Sequence, residues 1–198
     1  RRPPLASRPS ERAAATTRAA AEVQDEDGAA FSRKLGDVLA ECRRVLKPDG
    51  LLAFTYHHSR DEGWSAVLEA LLRAGFRITA AHPIKAEMSV AQPKALAKEP
   101  IDLDIILVCR KRDPVTVMPE GDAGLWPDVE EVASHQLARL TKRGRKLSRN
   151  DVRVVVMAQL LRRLSATSTV DGAMARLAAE IGEADAIIGR LHRSMATA

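Results

Sequence analysis

The sequence is poor in aromatic residues and cysteine, and it has no long apolar run. Three phenylalanines, two tryptophans and one tyrosine in 198 residues argue against a nucleic-acid surface built on several stacked rings. Two cysteines, Cys42 and Cys109, are too few for a metal cage or a disulfide framework, so we expect a reducing, cytoplasmic setting and no metal. No stretch reaches the roughly 18 apolar residues of a membrane span, and the segment Arg1-Arg2-Pro3-Pro4 lacks the apolar core of a secretory signal.

The formal net charge of +5 is concentrated in two segments. Residues 1–18 hold five arginines and one glutamate, and residues 142–153 hold six basic residues and one aspartate. Such clusters can neutralise phosphates, although a solvated flank of the protein has the same composition. The second segment is the better candidate for contact with a DNA backbone, and it carries no base-reading signature. Its candidate residues are Lys142, Arg143, Arg145 and Lys146.

Hydrophobic periodicity predicts an α/β fold followed by helices. The apolar run Leu51–Thr55 shows no polar alternation, which is typical of a central strand covered on both faces. Phe76–His82 reads as a strand that Pro83 ends, and Ile101–Lys111 is the strongest strand signal. The predicted helices span about 29–46, 62–74, 128–141, 150–164 and 170–192.

This pattern predicts four segments. Residues 1–28 form an irregular lead-in that is first basic and then acidic, and residues 29–112 form the α/β unit. Residues 113–127, which contain three prolines, form a linker. Residues 128–198 form a helical tail, so we expect a helical appendage after the α/β domain.

One stretch, Glu41 to Phe54, indicates more than an α/β unit. It reads ECRRVLKPDGLLAF, an amphipathic helix, a Pro-Asp-Gly turn and a buried strand. It closely resembles the segment of class I S-adenosylmethionine-dependent methyltransferases that joins the helix before the fifth strand to that strand. The resemblance continues through FTYHH, Trp64, LEALLRAGF, HPIKAEM and ILVCRK, and it covers about residues 29–112.

As a set, these segments resemble the C-terminal half of the catalytic domain in bacterial adenine-specific DNA methylases. More narrowly, they resemble the group of these methylases that has an N-terminal domain of unknown function (DUF1156) and an inserted zinc ribbon. The resemblance implies the distal half of a Rossmann-like sheet. It also implies transfer of a methyl group from S-adenosylmethionine to an exocyclic amino group of DNA, most simply that of adenine at N6.

Two motifs of that family are missing. The chain has no Gly-rich turn after a first strand to bind the cofactor, and no Asp/Asn-Pro-Pro-aromatic motif. Pro3-Pro4 is flanked by Arg2 and Leu5, so it supplies neither the acceptor nor the ring. The chain also begins with Arg1. We therefore expect a C-terminal fragment that is inactive alone, binds no cofactor alone, and has DNA and the N-terminal half of the methylase as partners.

The resemblance and the α/β pattern point to the same candidate substrate-binding residues. Tyr56, His57 and His58 follow the carboxyl end of a predicted strand, where open α/β sheets bind ligands. Tyr56 could stack on a flipped base while the histidines hydrogen-bond to it or to phosphate; alternatively, the group is a polar strand end that caps the next helix. His82 and Glu87 bracket Pro83, either near the substrate cleft or in a surface loop. No residue of this chain is expected to be catalytic.

Two alternative functions remain open on sequence grounds. The chain could be a non-catalytic subunit that binds DNA or completes a split methylase. It could also be a fragment of a small-molecule or RNA methyltransferase of the same fold superfamily, because the Leu-Lys-Pro-Asp-Gly segment also resembles that of small-molecule methyltransferases.

Overall fold

The structure, a computed structural model, describes residue 23 and residues 27–86, 101–112, 124–166 and 169–196. Within these ranges the chain has a mixed α/β architecture, which confirms the fold class at that level. Glu87 and the lead-in residues 1–22 lie outside the described residues. The elements in chain order are α1 (Gly28–Val45), β1 (Leu51–Tyr56), α2 (Asp61–Arg73), β2 (Phe76–Lys85), β3 (Leu103–Lys111), α3 (Leu125–Thr141), α4 (Arg149–Leu164) and α5 (Val170–Ala196).

The first two helices begin and end close to where the sequence predicts. Asp27 caps α1, because its side chain accepts a hydrogen bond from the Ala29 amide at 3.0 Å. Gly75 follows α2 with a φ of 76°, and its amide donates to the Leu72 carbonyl. The left-handed backbone conformation at this position favours glycine.

The three strands form one sheet in the order β1-β3-β2. β3 is antiparallel to both neighbours, so β1 and β2 run parallel to each other and are connected through α2. Leu51 opposes Arg110 and Tyr56 opposes Ile105 across the β1–β3 pair. The β2–β3 register shifts between Ile78 and Ala80.

The prediction that β1 is a central strand covered on both faces was wrong. Among the described residues β1 pairs only with β3, so it is an edge strand. Its side chains alternate between exposed and half-buried, and Leu51 is 52% exposed. An apolar run shows that a strand is hydrophobic, but the number of strands that pair with it depends on the rest of the sheet.

Pro83 does not end β2 as predicted, since the strand continues to Lys85. The carbonyl of Ala81 points away from β3, where it accepts a hydrogen bond from Gln136. Alternate residues of a strand direct their backbone N–H and C=O groups to the same side, so the backbone nitrogen and carbonyl of Pro83 also point away from β3. An edge strand tolerates proline there because no ladder hydrogen bond is lost.

The helical tail packs on the sheet and is not a separate appendage. Helix α4 lies against β2, β3, α3 and α5, and its buried side chains belong to the same core as Trp64 and Phe76. A helix that is apolar around most of its circumference is buried on several sides, and α4 fits this description. No helix within the described ranges is both long and apolar enough to cross a membrane.

A buried carboxylate fixes the start of α4 to the start of β3. Asp151 is 1% exposed. Its Oδ1 accepts hydrogen bonds from the Asp102 and Leu103 amides at 2.8 and 3.0 Å, and its Oδ2 accepts from the Ser148 amide at 2.9 Å. Ser148 in turn caps α4 by accepting a hydrogen bond from the Asp151 amide, which completes a capping box.

We expect Asp151→Ala to lower the free energy of unfolding by roughly 2–3 kcal/mol, because it removes a cap and leaves buried amide donors unpaired. The matched control is Asp171→Ala, which removes an exposed acid from the first turn of α5 and is expected to cost less than about 0.5 kcal/mol. Urea denaturation measures both variants. Equal losses in the two variants would contradict the role given to Asp151.

Candidate functional site

Three of the candidate substrate residues, Tyr56, His57 and His58, lie at one end of the sheet. β1 ends at Tyr56 and β2 at Lys85, and β3 begins between these two ends at Leu103. His57 and His58 directly follow β1. Glu87 follows Ala86, the last described residue after β2. In open α/β sheets, ligands bind outside the carboxyl ends of parallel strands, so the chain brings its candidates to the end where a ligand is expected.

Tyr56 connects the end of β1 to the start of α2. Its hydroxyl donates to the Gly63 carbonyl at 2.7 Å, and its ring contacts the edge of Trp64, with centroids 5.2 Å apart and planes at 81°. Burial raises the pKa of Tyr56 above its ordinary value, so the phenol stays protonated. Because the hydroxyl and one side of the ring are already engaged, we assign Tyr56 a structural role in this conformation.

His58 also holds the turn between β1 and α2 together. Its Nδ1 accepts a hydrogen bond from the Arg60 amide at 3.0 Å, and its carbonyl accepts one from the Trp64 indole at 3.0 Å. The imidazole lies directly against Gly63, where an added Cβ would approach the His58 Cγ to 2.2 Å. The turn therefore depends on a residue without a side chain at position 63.

His57 has a different environment. It continues the β1–β3 register by one residue and stands opposite Asp104, and its Nδ1 is hydrogen-bonded to the Asp104 Oδ1. Sequence reasoning missed Asp104. The available signal was the alternation at the start of the third strand, IDLDI, which places Asp102 and Asp104 on one face.

His57 and Asp104 lie at one end of a half-exposed sheet face. The buried side chains of the strands, including Phe76, Leu107 and Cys109, all point to the opposite face, where α2 and α4 pack. We call the other side the outer face. Its residues are exposed or only half-buried and include the sequence candidate His82: Leu51, Ala53, Thr55, His57, Arg77, Ala80, His82, Ile84, Asp104, Ile106, Val108 and Arg110.

The two edge strands of the sheet differ in the side-chain hydrogen bonds that their backbone groups receive. On β2, Ser165 accepts a hydrogen bond from the Ile78 amide at 2.9 Å, and Gln136 and Gln159 donate to the Ala81 carbonyl at 2.7 and 3.1 Å. On β1, no side-chain cap is seen among the described residues, and its sequence LLAFTY contains neither charge nor proline. Natural proteins use charges, prolines or covering groups to keep an exposed edge strand from pairing with other chains. Since the described residues provide none of these at β1, its edge has the properties of a strand that pairs with another segment.

The basic residues predicted to contact DNA form the turn between α3 and α4. Lys142, Arg143 and Lys146 are exposed and Arg145 is half-buried, while Gly144 has a φ of 77°. Cations at this position also suit the negative end of the α3 dipole, which is the structural alternative to DNA binding.

The basic turn lies at the same end of the sheet as the candidate substrate residues. Asp151, in the first turn of α4, binds the Asp102 and Leu103 amides, and these amides adjoin the carboxyl ends of β1 and β2. The turn leads directly into α4. Two further exposed cations lie at this end of the sheet: Arg149, which belongs to the basic segment 142–153 but was not named as a candidate for DNA contact, and Lys85 at the end of β2.

Cys109 is not a candidate for thiolate chemistry. Cys109 is buried on β3, and burial raises the pKa of its thiol to about 12, so it is not a thiolate nucleophile. Cys42 is half-buried on α1. In the part of the chain that the structure describes, no three His, Cys, Asp or Glu side chains come close enough together to hold a metal.

The contact between His58 and Gly63 predicts that the effect of Gly63→Ala on the free energy of unfolding changes sign when the His58 side chain is removed. Alanine normally stabilises a helix relative to glycine by up to about 1 kcal/mol, but Gly63→Ala should destabilise this protein because the new Cβ displaces the imidazole. In a His58→Ala background the same substitution should be neutral or stabilising. Urea denaturation of the four proteins measures the cycle, and equal effects in both backgrounds would refute the contact.

Comparison with protein-family models, curated proteins and solved structures gives no match. The interpretation of the site therefore depends on its own geometry.

Proposed function

We propose that this chain is the distal part of an S-adenosylmethionine-dependent DNA methyltransferase, acting on an exocyclic amino group such as adenine N6, and that another polypeptide segment supplies its cofactor-binding half. The observation that carries the proposal is the incomplete sheet. β1 and β2 run parallel to each other on either side of the antiparallel β3 and are connected by a helix, as in the units of doubly wound folds, and among the described residues β1 is an edge strand with no side-chain cap.

The outer face, whose side chains are exposed or half-buried among the described residues, supports the same proposal. Doubly wound sheets carry helices on both faces, whereas the strand side chains buried in this chain lie on one face only. A further segment that added strands beyond β1 and helices over Leu51, Ala53 and Thr55 would complete both features at once. This is what the proximal half of a Rossmann-like domain would provide.

The described residues do not fit the cofactor itself. S-adenosylmethionine sites of this fold use a Gly-rich turn that lets the backbone approach the ligand. No such turn is present among the described residues: the segment after β1, residues 57–60, holds two histidines and no glycine, and one imidazole fills the space beside Gly63. We therefore assign cofactor binding to the missing half and derive no step of methyl transfer from this chain.

Co-expression tests the proposal. The chain is expressed together with the coding segment immediately upstream and in phase, and transfer of labelled methyl groups from S-adenosylmethionine to DNA is measured. We expect labelled DNA from the pair and not from either part alone. An upstream segment without the Gly-rich turn and the Asp/Asn-Pro-Pro-aromatic motif, or micromolar binding of S-adenosylmethionine by this chain alone, would contradict the proposal.

Two variants show whether assembly uses the outer face. Ala53→Lys places a charge beside the β1 edge, and charges there prevent strand and face pairing. It should abolish co-purification of the two parts. Ala40→Lys, at an exposed position of α1, is the matched control and should leave co-purification unchanged.

The basic turn favours a second candidate, a subunit that binds DNA without catalysing methyl transfer. Lys142, Arg143 and Lys146 are exposed at the ligand end of the sheet, where they could contact phosphates whether or not a cofactor half is present. This candidate predicts salt-dependent DNA binding by the isolated chain and no labelled DNA from the co-expressed pair. A small-molecule methyltransferase fragment predicts no such binding.

Filter binding over a range of salt concentrations tests the basic turn. Replacing Lys142, Arg143 and Lys146 together by alanine should reduce the slope of log K against log salt by about 3, because each phosphate contact contributes roughly 0.9. The matched control replaces Arg33, Arg44 and Lys47, which are exposed on α1 or directly after it, and should leave the slope unchanged. The same reduction in both triple variants would exclude the turn as the interface.

A further inference from the structure

We propose that Asp104 positions His57 as a hydrogen-bond acceptor for a ligand with an amino group next to a flat ring. Asp104 is a positioning residue here, and His57 is the residue that meets the ligand. The acceptor role follows from the geometry of the pair, whereas the choice of an amino-bearing base as the ligand rests on the proposed function.

The pair determines which nitrogen of His57 carries the proton. The His57 Nδ1 contacts the Asp104 Oδ1, and an ionised carboxylate can only accept a hydrogen bond. Nδ1 must therefore be the protonated nitrogen, and in the neutral ring Nε2 keeps its lone pair. The Asp104 side chain is only 15% exposed, and His57 is the one polar partner seen for its carboxylate among the described residues.

The acceptor nitrogen is accessible to a ligand. The His57 side chain is 42% exposed, and within the described residues no polar protein atom is seen bonded to Nε2. In the adjoining row of the outer face, Thr55 is exposed, Ile106 is half-buried and the exposed His82 stands opposite Ile106 on β2. The Ile106 side chain and the Thr55 methyl group offer an apolar surface for a flat ring. An acceptor beside such a surface suits a ring with an N–H donor at its edge.

Nitrogen-15 NMR of the histidine rings, at a pH where imidazole is neutral, tests the positioning role. His57 should show a protonated Nδ1 and an unprotonated Nε2, and a His57→Gln variant assigns the signals. Asp104→Ala should move the proton to Nε2, the nitrogen that an unrestrained histidine prefers to protonate. Asp104→Leu, which matches its neighbours Ile84 and Ile106, is a second variant in case Asp104→Ala does not fold.

The control is Asp102→Ala, which removes the same charge from the same face two residues away. It should leave the His57 signals as they are in the wild type. A wild-type His57 with its proton on Nε2, or a proton position that does not change in folded Asp104 variants, would overturn the positioning role whatever the function of the protein.

Titration with 2′-deoxyadenosine tests the ligand class. The nucleoside should shift the His57 Nε2 signal, whereas N6,N6-dimethyl-2′-deoxyadenosine, which lacks the N–H donor, should not. His57→Gln and the folded Asp104 variant should each weaken binding about tenfold, the loss of one hydrogen bond. No shift, or equal shifts with both nucleosides, would overturn the ligand assignment, while the methyl-transfer result from the co-expressed pair would separately decide the proposed function.

Discussion

The fold depends on the burial of α4 against one face of the sheet. This helix contacts both β2 and β3 and also packs against α3 and α5. Polar groups attach it at both ends: Asp151 binds the amides at the start of β3, and Ser165 binds the Ile78 amide where the β2–β3 register shifts. Because apolar burial is not directional, these hydrogen bonds set the position of α4 along the strands.

The same arrangement makes the sheet asymmetric. The helices that follow β3 supply Gln136, Gln159 and Ser165 to cap the β2 edge, and they bury one face. Among the described residues nothing comparable protects β1, although its residues are apolar. A sheet whose described residues cap one edge strand and leave the other uncapped is well suited to adding strands at the second edge, and this asymmetry is the basis of the proposal that the chain is one part of a larger α/β domain.

Local sequence predicted much of the fold and part of the site. The periodicity of α1 and α2 and the glycine after α2 placed these helices to within about two residues, because capping and turn formation are local. The prediction for Pro83 failed because the cost of proline depends on which way its backbone faces in the sheet. His57 and His58 were selected from sequence because open α/β sheets bind ligands at strand ends, and their role in binding stays a prediction. Asp104, far from His57 in sequence, required the strand register to be known.

The composition is unusual for its scarcity of aromatic residues, and the sequence by itself determined the type of each element, the absence of a Gly-rich cofactor turn and the existence of a basic segment. Each of these properties depends only on residues that are close together in the sequence. Only the tertiary structure decided that β1 lies at an edge, that the basic turn shares an end of the sheet with His57, and that His57 has a carboxylate partner while His58 packs on Gly63. Each of these depends on contacts between residues distant in the chain or on the packing of a turn, and hydrophobic periodicity carries no information about either.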